Sequence, residues 1–168
     1  MLKNLITFHL VLKGTSSLHD WEMESRNAQG LAEFILNDNK LLNISNLKIM
    51  MPVATLKSGK MALDKNAYNA LYSKQYPDIS FELLKVESIT DKLIKARGMI
   101  YIAGTNRNIK LDVSYRISND SIWFKGSIPI KFTQFEMEPP KALFGTITTG
   151  NDLVISFETL FISKGYSE

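Results

Sequence analysis

Cysteine is absent from the 168 residues. Disulfides, thiol nucleophiles and cysteine-ligated zinc are therefore excluded. The compartment stays open, because an oxidising environment permits disulfides without requiring them. Histidine occurs only at His9 and His19, too few for a histidine-built metal centre, and none is expected. Charge of one sign is also scarce in any one place: 20 basic residues against 17 acidic ones leave a net charge of +3, with no basic run. A nucleic-acid surface needs a concentrated basic patch, so no nucleic-acid partner is expected. No apolar stretch approaches the roughly 20 residues of a transmembrane helix. The opening "MLKNLITFHLVLKG" has its apolar run broken by Thr7 and His9, with no small-residue cleavage site after it. It reads as a strand rather than an export signal. There is no G-x-S-x-G elbow, no H-E-x-x-H and no phosphate-cradling glycine loop, so neither a catalytic residue nor a cofactor is expected. There is no internal repeat and no low-complexity linker, and the chain reads as one domain, residues 1–168.

What is present is alternation with a period of two, the mark of half-buried strands. "NLITFHLVLK" sets Ile6, Phe8, Leu10 and Leu12 against Thr7, His9 and Lys13. "NIKLDVSYRIS" sets Ile109, Leu111, Val113, Tyr115 and Ile117 against charged or hydroxylated neighbours. "SIWFKGSIPIKF" and "DLVISFETLF" repeat the pattern, the first with Pro129 on its outward parity, which suits an edge or a bulge. Further strands fit "LAEFIL", "LKIMMPVATL", "DISFELLKVES" and "KLIKARGMIYIAG". "NDNK", "GTNRN", "SND" and "TTGND" carry hairpin-turn chemistry between them. One stretch, "ALDKNAYNALYSKQYPD", has helical spacing, with Asp64 placed as N-cap and Pro77 as terminator. The expected fold is all-β and antiparallel, about eight strands with one short inserted helix, closing as a sandwich or a barrel. A barrel of about eight strands removes exposed edges and leaves room for one small ligand.

"SSLHDW", Ser16 to Trp21, gathers two hydroxyls, an imidazole, a carboxylate and an indole. As a strand end it puts Ser17, His19, Trp21 and Met23 on one face and turns Asp20 away, so it forms no acid/base dyad. No orienting carboxylate completes a triad. Glu136 and Glu138, beside a double proline, read as a solvated loop.

The inward parity is almost free of charge. Gly98 and Gly126 lie among large apolar neighbours, where they either leave room in a lumen or mark bends in the strands. The methionines of "KIMMPV" and "GKMAL" suit either an adaptable lining or ordinary packing. An apolar binder needs no motif: each buried methylene stabilises by about 0.8 kcal/mol, so a chain of roughly twenty carbons gains about 15 kcal/mol before ordering and association costs.

Several segments together resemble the YceI-like domains: "GTSSLHDW", "LKSGKMALDKNAYNALYSKQYPDISFE", "ARGMIYIAGTNRNIKLDVSY" and "IPIKFTQFEMEPPKALFGTITTGNDLVISFE". The resemblance covers nearly the whole chain in order. It implies an extended lipocalin-like antiparallel β-barrel whose apolar lumen holds a long-chain lipid or polyisoprenoid, without catalysis. It also implies a periplasmic or secreted location and allows a homodimer. Where many members have Arg-Ser-x-Phe-Gly, this chain reads "KFTQFEMEPP", which sets its ligand apart.

The expected lining is Trp21, Phe34, Ile49, Met51, Leu71, Ile79, Phe81, Ile100, Leu111, Phe124, Ile128, Phe135 and Phe144, with His19 toward a polar head group. Lys57, Lys60 and Lys65, before and in the helix, are candidates for an anionic one. The rival readings are a hydrolase or isomerase acting on an apolar substrate, and a structural or stress-response barrel filled by its own side chains.

Overall fold

A computed structural model describes residues 2–142 and 145–163. The strands are β1 (Leu2–Ser16), β2 (Trp21–Ser25), β3 (Gln29–Asn37), β4 (Lys40–Pro52), β5 (Asp78–Ile89), β6 (Leu93–Ile102), β7 (Thr105–Ser118), β8 (Ser121–Lys131), β9 (Lys141–Ala142) and β10 (Ile147–Ser163). One helix, α1 (Met61–Ala70), stands between β4 and β5. β1, β3, β4, β5, β6, β7, β8 and β10 pair antiparallel in that order, and β10 returns to β1 over nearly the full length of both. The wall is therefore a closed barrel, and the sandwich is excluded. β2 runs beside β1 over Leu10–Gly14, and β9 beside the start of β10. Among the described residues no helix is long and apolar enough to cross a membrane.

Alternation places the core. Ile109, Leu111 and Val113 of β7, Ile122, Phe124, Ile128 and Ile130 of β8, and Leu153, Ile155 and Phe161 of β10 are all buried. Burying each such side chain stabilises by about 1.5–3 kcal/mol. Where alternation was read wrongly, a bulge is the reason. Ile6 is 59% exposed, because the β1–β10 register shifts between Leu5 and Thr7 and turns Ile6 outward. "TTGND" is not a hairpin turn; it lies inside β10, where the five residues from Thr149 to Leu153 span what the three from Gly14 to Ser16 span on β1. A two-residue turn does close "NDNK", with Asp38 and Asn39 both at positive φ. The turn after β6 falls on Ala103 and Gly104, one residue earlier than "GTNRN" indicates.

Other local readings need correction. β4 ends at Pro52, and Val53–Thr55 is a 3-10 turn rather than strand. Asp64 is not the N-cap of α1, since the helix starts at Met61. Its carboxylate instead accepts hydrogen bonds from the Ser58 N–H (2.8 Å) and hydroxyl (2.6 Å), tying the preceding loop to the first turn. Ser17 to Asp20 lie outside any strand. The Ser16 hydroxyl accepts from the N–H groups of Leu18 and His19 and turns the chain into β2.

Two neighbouring pairs of strands separate along the wall. β4 and β5 pair only from Lys48↔Glu82 to Pro52↔Asp78, although both strands run on past the first of these rungs. Beyond it, β4 carries bulges at Leu42 and Ser45 against β3, and β5 carries bulges at Leu84 and Glu87 against β6. Bulges bend a strand and raise its twist, so the two edges diverge. β7 and β8 likewise stop pairing beyond Val113↔Gly126, and Pro129 sits on the freed edge of β8, where its missing N–H costs no ladder bond. That second divergence is covered. The turn Thr133–Phe135 packs over it, with Phe135 fully buried and the Arg107 Nε–H donating to the Gln134 carbonyl at 2.7 Å.

The end of the barrel away from α1 is stopped by rings and one cation. Phe34 stacks on Phe124 (5.9 Å between centroids) and meets Phe161 edge-on (5.8 Å). Lys3, on the inward face of β1, is wholly buried and donates to the Asp120 carbonyl (2.5 Å) and the Ser163 hydroxyl (2.7 Å). Burial lowers the Lys3 pKa from its ordinary 10.5, with the Asp120 charge opposing. Between the lowered value and 10.5 the unfolded chain binds more protons than the folded one, so stability rises with pH through that interval. Lys3→Met cannot show this rise. Urea unfolding of both proteins from neutral pH up to 10.5 checks it, since the raised pKa of half-buried Tyr115 acts in both and cancels in the difference. Parallel stability curves would refute the assignment.

Candidate functional site

The barrel encloses a cavity of about 130 Å³ against the inner faces of β1, β4–β8 and β10. Ile49, Met51, Ile79, Phe81, Ile100, Leu111, Phe124 and Ile128 line it, all among the residues picked from the sequence. Ser80 and Thr159 are the polar residues of the lining, and no ionisable side chain belongs to it. An ion placed there would lose its hydration without a partner, so the space favours uncharged, apolar matter.

A second cavity, about 280 Å³, lies between α1 and the adjoining strand ends. Leu63, Ala67, Ala70 and Leu71 form its helical side, and Trp21, Phe132 and Leu153 face them. His19, Lys60, Asn66 and Lys141 make its rim polar. The two cavities share no lining residue but lie one rung apart. On β1, Leu10 faces the lumen and Leu12 the outer cavity; on β10, Ile155 faces the lumen and Leu153 the outer cavity.

The sequence-based picks therefore divide. Trp21, Leu71 and His19 belong to the outer cavity. Phe34 and Phe135 line neither: the first is part of the aromatic stopper and the second plugs the β7–β8 divergence. Phe144 lies outside the described residues. Of the lysines, Lys60 reaches the outer rim, whereas Lys57 lies 5.6 Å from the Tyr68 ring centroid and Lys65 is exposed. Lining residues not picked include Phe8, Leu10, Val113, Ile155 and Phe157, whose inward parity was readable. Ile44 and Leu47 were hidden, because bulges space the inward positions of β4 by three at Leu41, Ile44 and Leu47.

The interior glycines fill a role that neither sequence reading described. A Cβ on Gly98 would lie 2.2 Å from Cε2 of Phe81, and one on Gly126 would lie 2.6 Å from Cζ of Phe157. Each glycine lets a ring from the neighbouring strand lie flat on the wall instead of standing in the lumen. Trp21 does the same over Gly14, its indole N–H donating to the Thr15 carbonyl at 3.1 Å.

Among the described residues no reactive constellation surrounds these spaces. The His19 ring donates its Nδ1–H to the Asp20 carbonyl at 2.7 Å, a contact with backbone rather than with a carboxylate. The Ser17 hydroxyl accepts from the Thr148 N–H at 3.0 Å. His9 faces outward and meets Glu24 at 2.8 Å. Among the described residues no group of His, Asp and Glu is placed to hold a metal ion. Glu87, held below the usual carboxylate range by its hydrogen bond to Arg97, is on the outer surface.

A closed antiparallel barrel with an apolar lumen and one helix across one end defines a lipocalin-like fold. The YceI-like domain profile matches residues 7–161, and the chain belongs to that family. None of the curated proteins matches it in sequence. BcnA of Burkholderia cenocepacia has a similar structure, with a TM-score of 0.76 at 14% identity over 91% of this chain and 95% of that one. A polyisoprenoid binding domain from Saccharophagus degradans, implicated in plant cell wall breakdown, has a TM-score of 0.74 at 10% identity over 96% and 98%. The YCEI protein of Campylobacter jejuni has a TM-score of 0.68 at 20% identity, covering 83% of this chain and 82% of that one. These likenesses are likenesses of fold.

The glycine–ring contacts give a stability test. Gly98→Ala forces the Phe81 ring off the wall and is expected to destabilise by about 1–3 kcal/mol, the usual cost of overpacking. Adding Phe81→Leu should recover much of that loss. Urea denaturation of the two single variants and the double variant measures the coupling; strictly additive effects would contradict the contact.

Proposed function

We propose that this protein binds a long-chain apolar or amphiphilic lipid, of the fatty-acid or polyisoprenoid kind, with its chain in the lumen, and that it holds or carries the ligand without transforming it. One observation carries the reading: the barrel wall surrounds a void whose lining has no ionisable group. The Saccharophagus degradans domain named for polyisoprenoid binding shares the fold, which supports the same ligand class here. The absence of a motif is consistent with the energetics. At about 0.8 kcal/mol per buried methylene, a hydrocarbon chain needs no specific polar partner to reach micromolar affinity, about −8 kcal/mol.

The lumen at rest holds about 130 Å³, near the roughly 150 Å³ that accommodates a benzene ring. A long chain must therefore displace part of the lining. Met51 is unbranched and adaptable, and the inward residues of β5 (Ile79, Phe81 and Leu83) are only half-buried, so this side of the lumen yields most readily. Opening the rung between lumen and outer cavity would add the about 280 Å³ beneath α1.

Organic extraction of freshly purified protein followed by mass spectrometry is expected to release a long-chain molecule at near-equal molar ratio. In parallel, Ala96→Phe, which adds a ring at a buried lining position, should weaken binding of pyrene-labelled dodecanoic acid about tenfold or more, some 1.4 kcal/mol. An empty extract together with undiminished probe binding by that variant would favour a barrel filled by its own side chains.

A further inference from the structure

We infer that the lumen is loaded sideways, through the split between β4 and β5, by a hydrocarbon chain whose polar end stays at the split. This rests on the lumen as the binding space and names the route into it.

The split has a backbone cause. Pairing between β4 and β5 stops at Lys48↔Glu82, while β4 runs back to Lys40 and β5 runs on to Ile89. Each strand keeps its other neighbour: β4 stays on β3 down to Asn37↔Lys40, and β5 stays on β6 down to Ile89↔Ile94. The bulges at Leu42 and Ser45 on one edge, and at Leu84 and Glu87 on the other, bend the strands apart. The opening therefore reaches the end of the barrel at the Asp38–Asn39 turn and the turn after Ile89, like an unfastened seam. Among the described residues no strand pairs with either edge there.

The lumen reaches this seam. Ile44 and Leu47 on one lip and Leu83 on the other all line it. The inward residues of β5 are the accessible ones: Ile79, Phe81, Leu83, Val86 and Ile89 are each half-buried, whereas their counterparts Ile94, Ala96, Ile100 and Ile102 on β6 are buried. The lips are greasy on the outside as well, with Leu42 55% and Leu84 47% exposed. The β7–β8 divergence supplies an internal control. Pairing stops there too, though without a bulge on either strand, and the Thr133–Phe135 turn seals it with a fully buried Phe135. The seam between β4 and β5 has no such cover among the described residues.

The α1 end offers a poorer route. A chain passing there must lift α1 or cross the outer cavity and then displace the rung that separates it from the lumen. A chain at the seam displaces no element. Its head group would then lie beside the lips, away from His19 and Lys60 on the far rim.

The cysteine-free background makes a clean test. Had the ladder continued past Lys48↔Glu82, Asn46 would face Leu84, and neither residue lines a cavity. In the variant Asn46→Cys/Leu84→Cys the seam is closed by oxidation, or by a short bismaleimide where the thiols do not meet. A second variant, Lys60→Cys/Lys141→Cys, clamps the outer rim across α1 with the same reagent. Uptake of pyrene-labelled dodecanoic acid from phosphatidylcholine vesicles is followed by stopped-flow fluorescence. Closing the seam is expected to slow uptake about tenfold or more relative to the unbridged form of the same polypeptide, as gating of a rate-limiting opening does, while the α1 clamp leaves the rate unchanged. Equal rates with the seam open and closed, or slowing by the α1 clamp alone, would overturn the sideways route and leave the lumen reading standing. Failure of the unmodified protein to bind the probe saturably would overturn both.

Discussion

The antiparallel ladder between β1 and β10 turns a twisted sheet into a tube, and everything else in the molecule follows from that closure. An open sheet would bury its apolar face against a second layer and fill the space between. Once the sheet meets itself, the inward side chains of eight strands face one another around an axis. Whether they touch at the centre depends on their size and on how flat they lie. Phe34, Phe124 and Phe161 close one end by meeting ring to ring. Midway, Phe81 and Phe157 lie back against Gly98 and Gly126, and a void remains.

Closure also sets the problem that the bulges solve. A tube of regular strands with continuous ladders has no side opening, and its contents would pass only through its ends. One end here is stopped by aromatic rings and a buried lysine, and the other lies under α1. The bulges on β4 and β5 release their shared edge without breaking the barrel elsewhere, because each strand retains its other partner. The divergence between β7 and β8, which has no bulges, is plugged by Phe135. One divergence is thus structural and the other is available to a ligand.

The polar groups obey the same geometry. Charged pairs such as Lys48–Glu82, Arg97–Glu87 and Lys125–Glu158 lie on the outer surface, where their energetic worth is small. Within the lumen such charges would cost far more than they return, and none is there. Lys3 is the exception. It is buried at the stopped end, with backbone and hydroxyl oxygens as its hydrogen-bond acceptors.

Period-two alternation was enough to read an all-β, antiparallel chain with one inserted helix, and parity alone put Leu111, Phe124 and Ile128 on the inner face. Parity fails wherever a bulge adds a residue, since one extra position reverses every side chain beyond it. Ile6 was misassigned for that reason, and Ile44 and Leu47 were missed for the same one. "SSLHDW" reads as a strand end in the sequence, but Ser17 to Asp20 form a turn because the Ser16 hydroxyl accepts two backbone N–H groups. By itself the sequence determined strand identity, face and the uncharged character of the interior, all of which are local and periodic properties. Only the tertiary structure decided that β1 closes on β10, that two glycines hold rings off the axis, that two cavities lie one rung apart and that one seam stays open. Those are relations between strands distant along the chain, and no pattern within a strand encodes them.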